Sequence, residues 1–572
     1  MKKTFQKTIS MVLTIVIITV MYSGAIPVLP PLSASAVQSE DSTYTLSEYF
    51  YDEYGVMYDA EKTTLIKYPA ELTLTSYEVL DGVAVISDNA FYGAKNLTAV
   101  TLPDSVKTIG KNAFEGCTGL SSISLGNGVE TIGSHAFLNC SALKSITFPA
   151  SLKSIADGSY SYDYYSYVGV FYGCSSLESV RFEGSAVTVG SYAFYECSSI
   201  KNVTFVDSAA TIGSHAFYEC SNLESVTFED SAADIGKYAF AGCSKLSLLD
   251  MGENVKTIGD YAFGNCNGLT SITIPGSVTS IGWGAFWYCK ELKNVVFDDC
   301  EVEISNEAFY NCTKLASVSF GSKVKGIGSY AFYNTGIKEI IVPDSVESIG
   351  TYAFANCTEL KTVTICSGNT VIGNNAFYNC PKLTSIIIQD GTLYYYDEYG
   401  VMYDAAKTTL IKYPAGLKLT SYEVLAGVTV ISDNAFYGAK NLTTVTLPDS
   451  VRTIGKNAFE GCTGLSSISL GNGVETIGSR AFLNCSALKS ITFPASLKSI
   501  ANRSYSYYYG NVGVFYGCLS LESVRFEGSA VTVGSYAFYK CSSLKNVTFV
   551  DSAATIGSYA FYGCSNLESV TF

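Results

Sequence analysis

The stretch Leu223-Glu224-Ser225-Val226-Thr227-Phe228, followed by Ile235-Gly236-Lys237-Tyr238-Ala239-Phe240 and closed by Cys243, carries the plan of the whole chain. Val226 and Phe228 alternate with polar neighbours as the two faces of a strand do. Ile235 ends a second short extended run, and Gly236 permits a turn. Ala239-Phe240 and Cys243 place apolar groups three residues apart, which predicts a brief helical turn. A unit this small cannot bury these side chains alone, so copies of it must stack.

Such copies exist. The phenylalanine recurs as Phe91, Phe114, Phe137, Phe171, Phe194, Phe217, Phe240, Phe263, Phe286, Phe309, Phe332, Phe354, Phe377, Phe436, Phe459, Phe482, Phe515, Phe538 and Phe561, usually 23 residues apart. That period marks a repeat solenoid. Nineteen coils stacked at about 4.8 Å each predict an array roughly 90 Å long.

The pattern L-x-x-[IV]-x-[IVLF]…I-G-x-x-A-F-x-x-C-x-x-L resembles the BspA-like class of bacterial leucine-rich repeats. It returns in Leu269-Thr270-Ser271-Ile272-Thr273-Ile274, with Ile281-Gly282, Ala285-Phe286 and Cys289. The resemblance implies a leucine-rich-repeat right-handed superhelix of mainly short parallel β-strands with short helical turns. It also implies a secreted or cell-surface location and attachment to host matrix proteins, other cells or polysaccharide. Gly55-Val56-Met57-Tyr58-Asp59 and Thr63-Thr64-Leu65-Ile66-Lys67-Tyr68-Pro69 resemble the hairpin that opens such arrays. Two short extended runs around Ala60-Glu61-Lys62 give the same hairpin independently.

At the N-terminus, Lys2, Lys3 and Lys7 precede an apolar run from Ile9 to Met21, and Ala34-Ser35-Ala36 follows three prolines. This is the layout of a secretory signal peptide cleaved after Ala36. A retained anchor is the alternative, but the run is short for a span of about 20 residues. The expected organisation is therefore a signal peptide (1–36), a linker (37–50), an N-terminal β-hairpin cap (51–80) and a first repeat array (81–390). A second hairpin (391–430) then opens a second array (431–572), which stops in mid-copy. Because a solenoid's last coil needs a cap, the array is expected either to continue past Phe572, the favoured reading, or to be capped there by a partner.

The second array is nearly a copy of the first. Between Thr101–Ile155 and Thr446–Ile500 only Lys107 against Arg452 and His135 against Arg480 differ, and further on His215 meets Tyr559. These are the only two histidines in 572 residues, and neither survives duplication. The commonest general base and metal ligand is thus discounted. No zinc-protease, P-loop, nucleophile-elbow or calcium-loop motif occurs. Gly126-Asn127-Gly128 is a repeat turn. An excess of 51 acidic over 36 basic residues, with no basic cluster, also argues against a nucleic-acid partner. No catalytic residue, metal ligand or cofactor is assigned.

Sixteen of the 18 cysteines lie three residues after a repeat phenylalanine: Cys117, Cys140, Cys174, Cys197, Cys220, Cys243, Cys266, Cys289, Cys312, Cys357, Cys380, Cys462, Cys485, Cys518, Cys541 and Cys564. An export context favours disulfides. One recurring slot in a stack is, however, a continuous ladder with no pairing preference, and buried free Cys packs well. These are read as structural thiols. Cys300 and Cys366 fall outside the slot and are the only candidates for an exposed or reactive thiol, although ordinary packing is the favoured reading for them too.

The informative excess is 43 tyrosines. One column follows the repeat phenylalanine, with Tyr195, Tyr218, Trp287, Tyr310 and Tyr333; another precedes it by two residues, with Tyr192, Tyr238, Tyr261, Tyr330 and Tyr352. Stacked coils turn such columns into a surface stripe. Its rings either brace neighbouring coils or present apolar area and hydroxyls to a ligand. Two insertions add more: Tyr160, Tyr162, Tyr164, Tyr165 and Tyr167 between Phe137 and Phe171, and Tyr505, Tyr507, Tyr508 and Tyr509 between Phe482 and Phe515. Insertions leave a solenoid as loops, often on the binding face, although a drifted linker has the same composition. The expected function is non-catalytic extracellular binding or adhesion to a protein or polysaccharide, without a membrane span in the mature chain. The alternative is a spacer that holds another module at the cell surface.

Overall fold

A computed structural model describes residues 48–161, 166–184, 186–389, 393–506, 510–528, 530–551 and 553–572. The proposed signal peptide lies outside them. Each repeat contributes a longer strand and a shorter one, as in Asn202–Val206 with Ala209–Ile212 and Ser225–Glu229 with Ala232–Ile235. Neighbouring coils pair in parallel one repeat apart, Val203 opposite Val226, Phe205 opposite Phe228 and Ile212 opposite Ile235. The fold is a leucine-rich-repeat β-solenoid.

The shorter strands build a 16-stranded sheet that ends at Val371–Ile372 and a nine-stranded sheet that starts at Tyr394–Tyr396. Each opens with antiparallel strands. In the first, Tyr49–Tyr51 pairs with Met57–Asp59, which pairs with Thr64–Lys67. Buried polar groups tie this hairpin to the first coil: the hydroxyls of Tyr58 and Tyr77 bond each other, and that of Tyr77 donates to Asp52 Oδ2 at 2.6 Å. Tyr403, Tyr422 and Asp397 repeat the arrangement in the second copy.

The interior is a set of ladders. Phe217 and Phe240 stack at 5.1 Å and 2°, with Val226, Phe228, Ile235 and Leu246 buried beside them. Two apolar cores result, one spanning residues 56–386 and the other 401–560.

The brief helical turns expected around Ala239-Phe240 do not form, and the described residues contain no helix. The reason lies in the backbone. Tyr238 and Gly242 both take positive φ, 55° and 78°, which interrupts right-handed helix on either side of the phenylalanine. The N–H groups of Tyr238, Phe240 and Gly242 reach out to the carbonyls of Asp260, Ala262 and Gly264 in the next coil, each at 2.8 Å. Those of Ala239, Ala241 and Cys243 close local turns three residues back. The segment is therefore a third inter-coil ladder, and its backbone groups are satisfied between coils rather than within one. Accordingly, no helix long and apolar enough to cross a membrane occurs among the described residues.

Candidate functional site

The cysteine slot points into this third ladder. In all sixteen coils the thiol donates to the carbonyl of the preceding coil's phenylalanine, at 3.0 to 3.3 Å, as Cys117 does to Phe91 and Cys243 to Phe217. All 18 cysteines are free thiols. Burial pushes the sixteen ladder thiols up, Cys117 and Cys289 to about 12, so they are neutral donors and poor nucleophiles. Of the two cysteines outside the slot, Cys300 is buried and Cys366 is half-buried.

The residue two before each phenylalanine has left-handed backbone in almost every coil. Tyr192, Tyr238, Tyr261, Tyr330, Tyr352, Tyr536 and Tyr559 there have φ between 52° and 62°. This conformation suits Asn, and Asn89, Asn112, Asn375, Asn434 and Asn457 occupy it in other coils. Asparagines at this position make their own ladder, Asn457 Nδ2 donating to Asn434 Oδ1 at 3.0 Å and Asn434 to Asn375 at 2.7 Å.

Where tyrosines take the slot they form a half-buried aromatic row. Tyr167 stacks on Tyr192 at 4.1 Å, Tyr192 on His215 at 4.8 Å, His215 on Tyr238 at 4.8 Å and Tyr238 on Tyr261 at 5.0 Å. A parallel row follows the phenylalanines, with Tyr195 on Tyr218 at 5.4 Å and Tyr310 on Tyr333 at 4.8 Å. The rows abut, Tyr192 lying 5.6 Å from Tyr195 and Tyr330 5.7 Å from Tyr333. Tyr330 also stacks on Tyr352 at 5.1 Å, and Trp287 meets Tyr261 edge-on at 6.0 Å.

The first insertion docks on this face. Ser159–Ser161 pairs antiparallel with Ser166–Val168, Tyr160 packs edge-on against Tyr167, and Tyr167 joins the row through Tyr192. In the second copy Ser504–Ser506 pairs with Gly510–Val512, leaving Tyr505 74% exposed. Tyr162, Tyr164, Tyr165, Tyr507, Tyr508 and Tyr509 lie outside the described residues.

The two histidines have structural roles. His215 is a ring of the row; its replacement by Tyr559 in the second copy was the sequence signal for that. His135 Nε2 lies 3.4 Å from Ser159 Oγ at the base of the first insertion, and its counterpart Arg480 donates to Ser504 Oγ at 2.6 Å at the base of the second. Burial, with a nearby lysine, holds both imidazoles below their usual range and hence neutral at pH 7. Trp283 and Tyr288 extend the aromatic surface beyond the columns the repeat defined, and Tyr378 and Tyr437, 4.3 Å apart, carry the column after the phenylalanines from one copy to the next.

Stacked coils with a buried Phe–Cys ladder and an aromatic outer row define a bacterial-type leucine-rich-repeat β-solenoid. The chain belongs to the BspA-type leucine-rich repeat family, whose six-copy region model matches residues 70–170, 166–293, 279–399, 415–512 and 511–572. Among solved structures it is similar to a leucine-rich cell surface protein from Faecalibacterium prausnitzii, at 21% identity and a TM-score of 0.35, covering 93% of this chain and 95% of that one. It is similar as well to leucine-rich repeat proteins from Eubacterium ventriosum (25% identity, TM-score 0.41, 54% and 73% covered) and Bacteroides ovatus (24%, 0.33, 90% and 99%). No curated protein sequence matches it.

Proposed function

We propose that this chain is a non-catalytic, extracellular binding protein that engages matrix proteins, cells or polysaccharide through the aromatic face of its solenoid. The observation that carries this reading is tyrosine at a left-handed backbone position. An L-residue there costs roughly 1–2 kcal/mol, and a stacked aromatic pair returns about 0.5–1.5 kcal/mol. The two nearly cancel, and asparagine fills the same slot at little strain with a ladder of its own. Stability alone gives no reason to prefer tyrosine, whereas a surface of rings and hydroxyls suits recognition. Repetition along the array would add avidity to individually weak contacts. The N-terminal segment and the family support secretion or surface display.

A screen of the chain against matrix proteins and glycans tests the proposal. Replacing Tyr160 and Tyr167 by Ala should weaken a hit, and a hit unchanged by these replacements would remove the insertion from the surface. The continuous hydrogen-bonded ladders favour one other reading, a rigid spacer, which predicts no hit at all.

A further inference from the structure

The row that follows the phenylalanines lacks a ring at Glu115, Leu138, Ala355, Glu460 and Leu483, and at one further place two consecutive coils carry only small residues there. After Tyr195 and Tyr218 it carries Ala241 and then Gly264 before resuming at Trp287. In the same coils the neighbouring row continues as Tyr238 and Tyr261, parallel to within 3°, and then meets Gly284. The two omitted rings leave a notch of about 730 Å³. Tyr238 and Tyr261 form its floor, with Tyr218 at one end and Trp287 at the other. A Cβ on Gly284 would come within 2.5 Å of the Tyr261 ring, so a side chain there would displace the floor.

Two further observations single this place out. The chain has only two tryptophans, Trp283 and Trp287, and each lies 6.0 Å from Tyr261. The rim is also acidic: Glu196 and Glu219 line the notch, are exposed, and make no ion pair among the described residues. The nearby Asp260 is already matched by Lys237 at 3.8 Å. The notch therefore offers aromatic faces and unmatched carboxylates together. A neutral sugar ring would stack on the first and offer the second hydroxyl donors but no counter-charge. A guanidinium uses both, stacking flat on tyrosine or tryptophan while its fork of donors reaches a carboxylate.

We propose that this notch receives an arginine side chain of an extended, basic polypeptide segment, with the face of Tyr218 left uncovered by Ala241 against the guanidinium plane, the edges of Tyr238 and Tyr261 beneath it and Glu196 or Glu219 as its counter-charge. The proposal rests on the reading of the aromatic face as a binding surface and names one site and one partner chemistry on it.

Because Trp287 lines the notch and Trp283 lies 6.0 Å from the Tyr261 ring, intrinsic tryptophan emission of the full chain reports its occupancy without a label. The probe is a synthetic peptide alternating Gly and Arg, compared with a Gly-Glu peptide and with maltohexaose. The expected result is a saturable emission change with the Arg peptide alone, its midpoint raised about tenfold by Ala241→Tyr and by the double change Glu196→Gln with Glu219→Gln. Far-UV circular dichroism should stay unchanged, since other coils already carry tyrosine at the Ala241 position. Ala241→Tyr also separates this proposal from the one it rests on. Filling the gap lengthens the aromatic row, so ligands held by the row in general keep or gain affinity while the Arg peptide is lost. No saturable change with the Arg peptide, an equal change with the Gly-Glu peptide or maltohexaose, or indifference to Ala241→Tyr would each overturn the notch. Retention of the matrix or glycan hits in that case leaves the wider binding surface standing.

Discussion

At the scale of single residues, three side chains of one coil do different work. Phe240 is fully buried and stacked on both sides, so Phe240→Ala should lose about 3–5 kcal/mol in urea unfolding. Tyr238, one turn away, combines backbone strain with stacking. Tyr238→Asn is expected to change stability by less than about 1 kcal/mol, because Asn relieves the strain as it removes the ring. A loss as large as that of Phe240→Ala would show that the tyrosine row is a structural brace. Cys243 is a buried donor whose thiol is pushed well above its usual value. An aromatic disulfide reagent at pH 8 should modify Cys366 and Cys564, the two half-buried thiols, well before any other, and all 18 only after denaturation. Rapid native labelling of Cys243 or its equivalents would contradict the ladder.

At the scale of elements, the strands were legible from Val226 and Phe228 alone, because alternation has one physical meaning. The turn around Phe240 was not. Ala-Phe-x-x-Cys has helical spacing, and the signal against a helix is the left-handed position, which Asn, His, Tyr, Glu and Arg share without a common side-chain type. The seam between the two copies was equally hidden. Lys67 and Lys412 sit in the same local sequence, Thr-Thr-Leu-Ile-Lys-Tyr-Pro, yet Lys67 is exposed and Lys412 is buried against the last coil of the first array. There the N–H of Gly416 donates to Leu383 O at 2.7 Å, and Lys412 Nζ reaches Asn434 O at 3.3 Å. Burial lowers Lys412 to about 8 from the usual 10.5. The folded state then binds fewer protons than the unfolded one between these values. The resulting destabilisation is complete below pH 8 and is relieved as pH rises towards 10.5. Glu460, beside Tyr378 and Tyr437 and with one buried carboxylate oxygen unpartnered, is raised by burial to about 7. Its contribution has the opposite slope, stability falling as pH rises from 4.5 to 7. Thermal melts should show Lys412→Met stabilising the chain at pH 7 and flattening the upper window, and Glu460→Gln flattening the lower one. A pH profile identical to that of the parent protein in either variant would contradict the burial at the seam.

At the scale of the molecule, duplication supplies a control within one chain. The phenylalanine and cysteine ladders are the same in both copies, and among the positions that differ two lie at the aromatic surface: His135 against Arg480 beneath the insertions, and His215 against Tyr559 in the row. The tyrosine columns were visible in the sequence because the period repeats them. Their meeting in two abutting rows, with the insertion seated through Tyr167, depends on stacking distances that no single repeat contains. The central claim is that these rings exist for recognition and that the ladders beneath them suffice for the fold. The most direct test is the triple change Tyr192→Asn, Tyr238→Asn and Tyr261→Asn, measured by surface binding to the best ligand from the matrix and glycan screen alongside circular dichroism and urea unfolding. The account predicts an unfolding midpoint close to that of the parent chain with binding lost. Binding retained at the parent's level, or a chain that no longer folds, would contradict it.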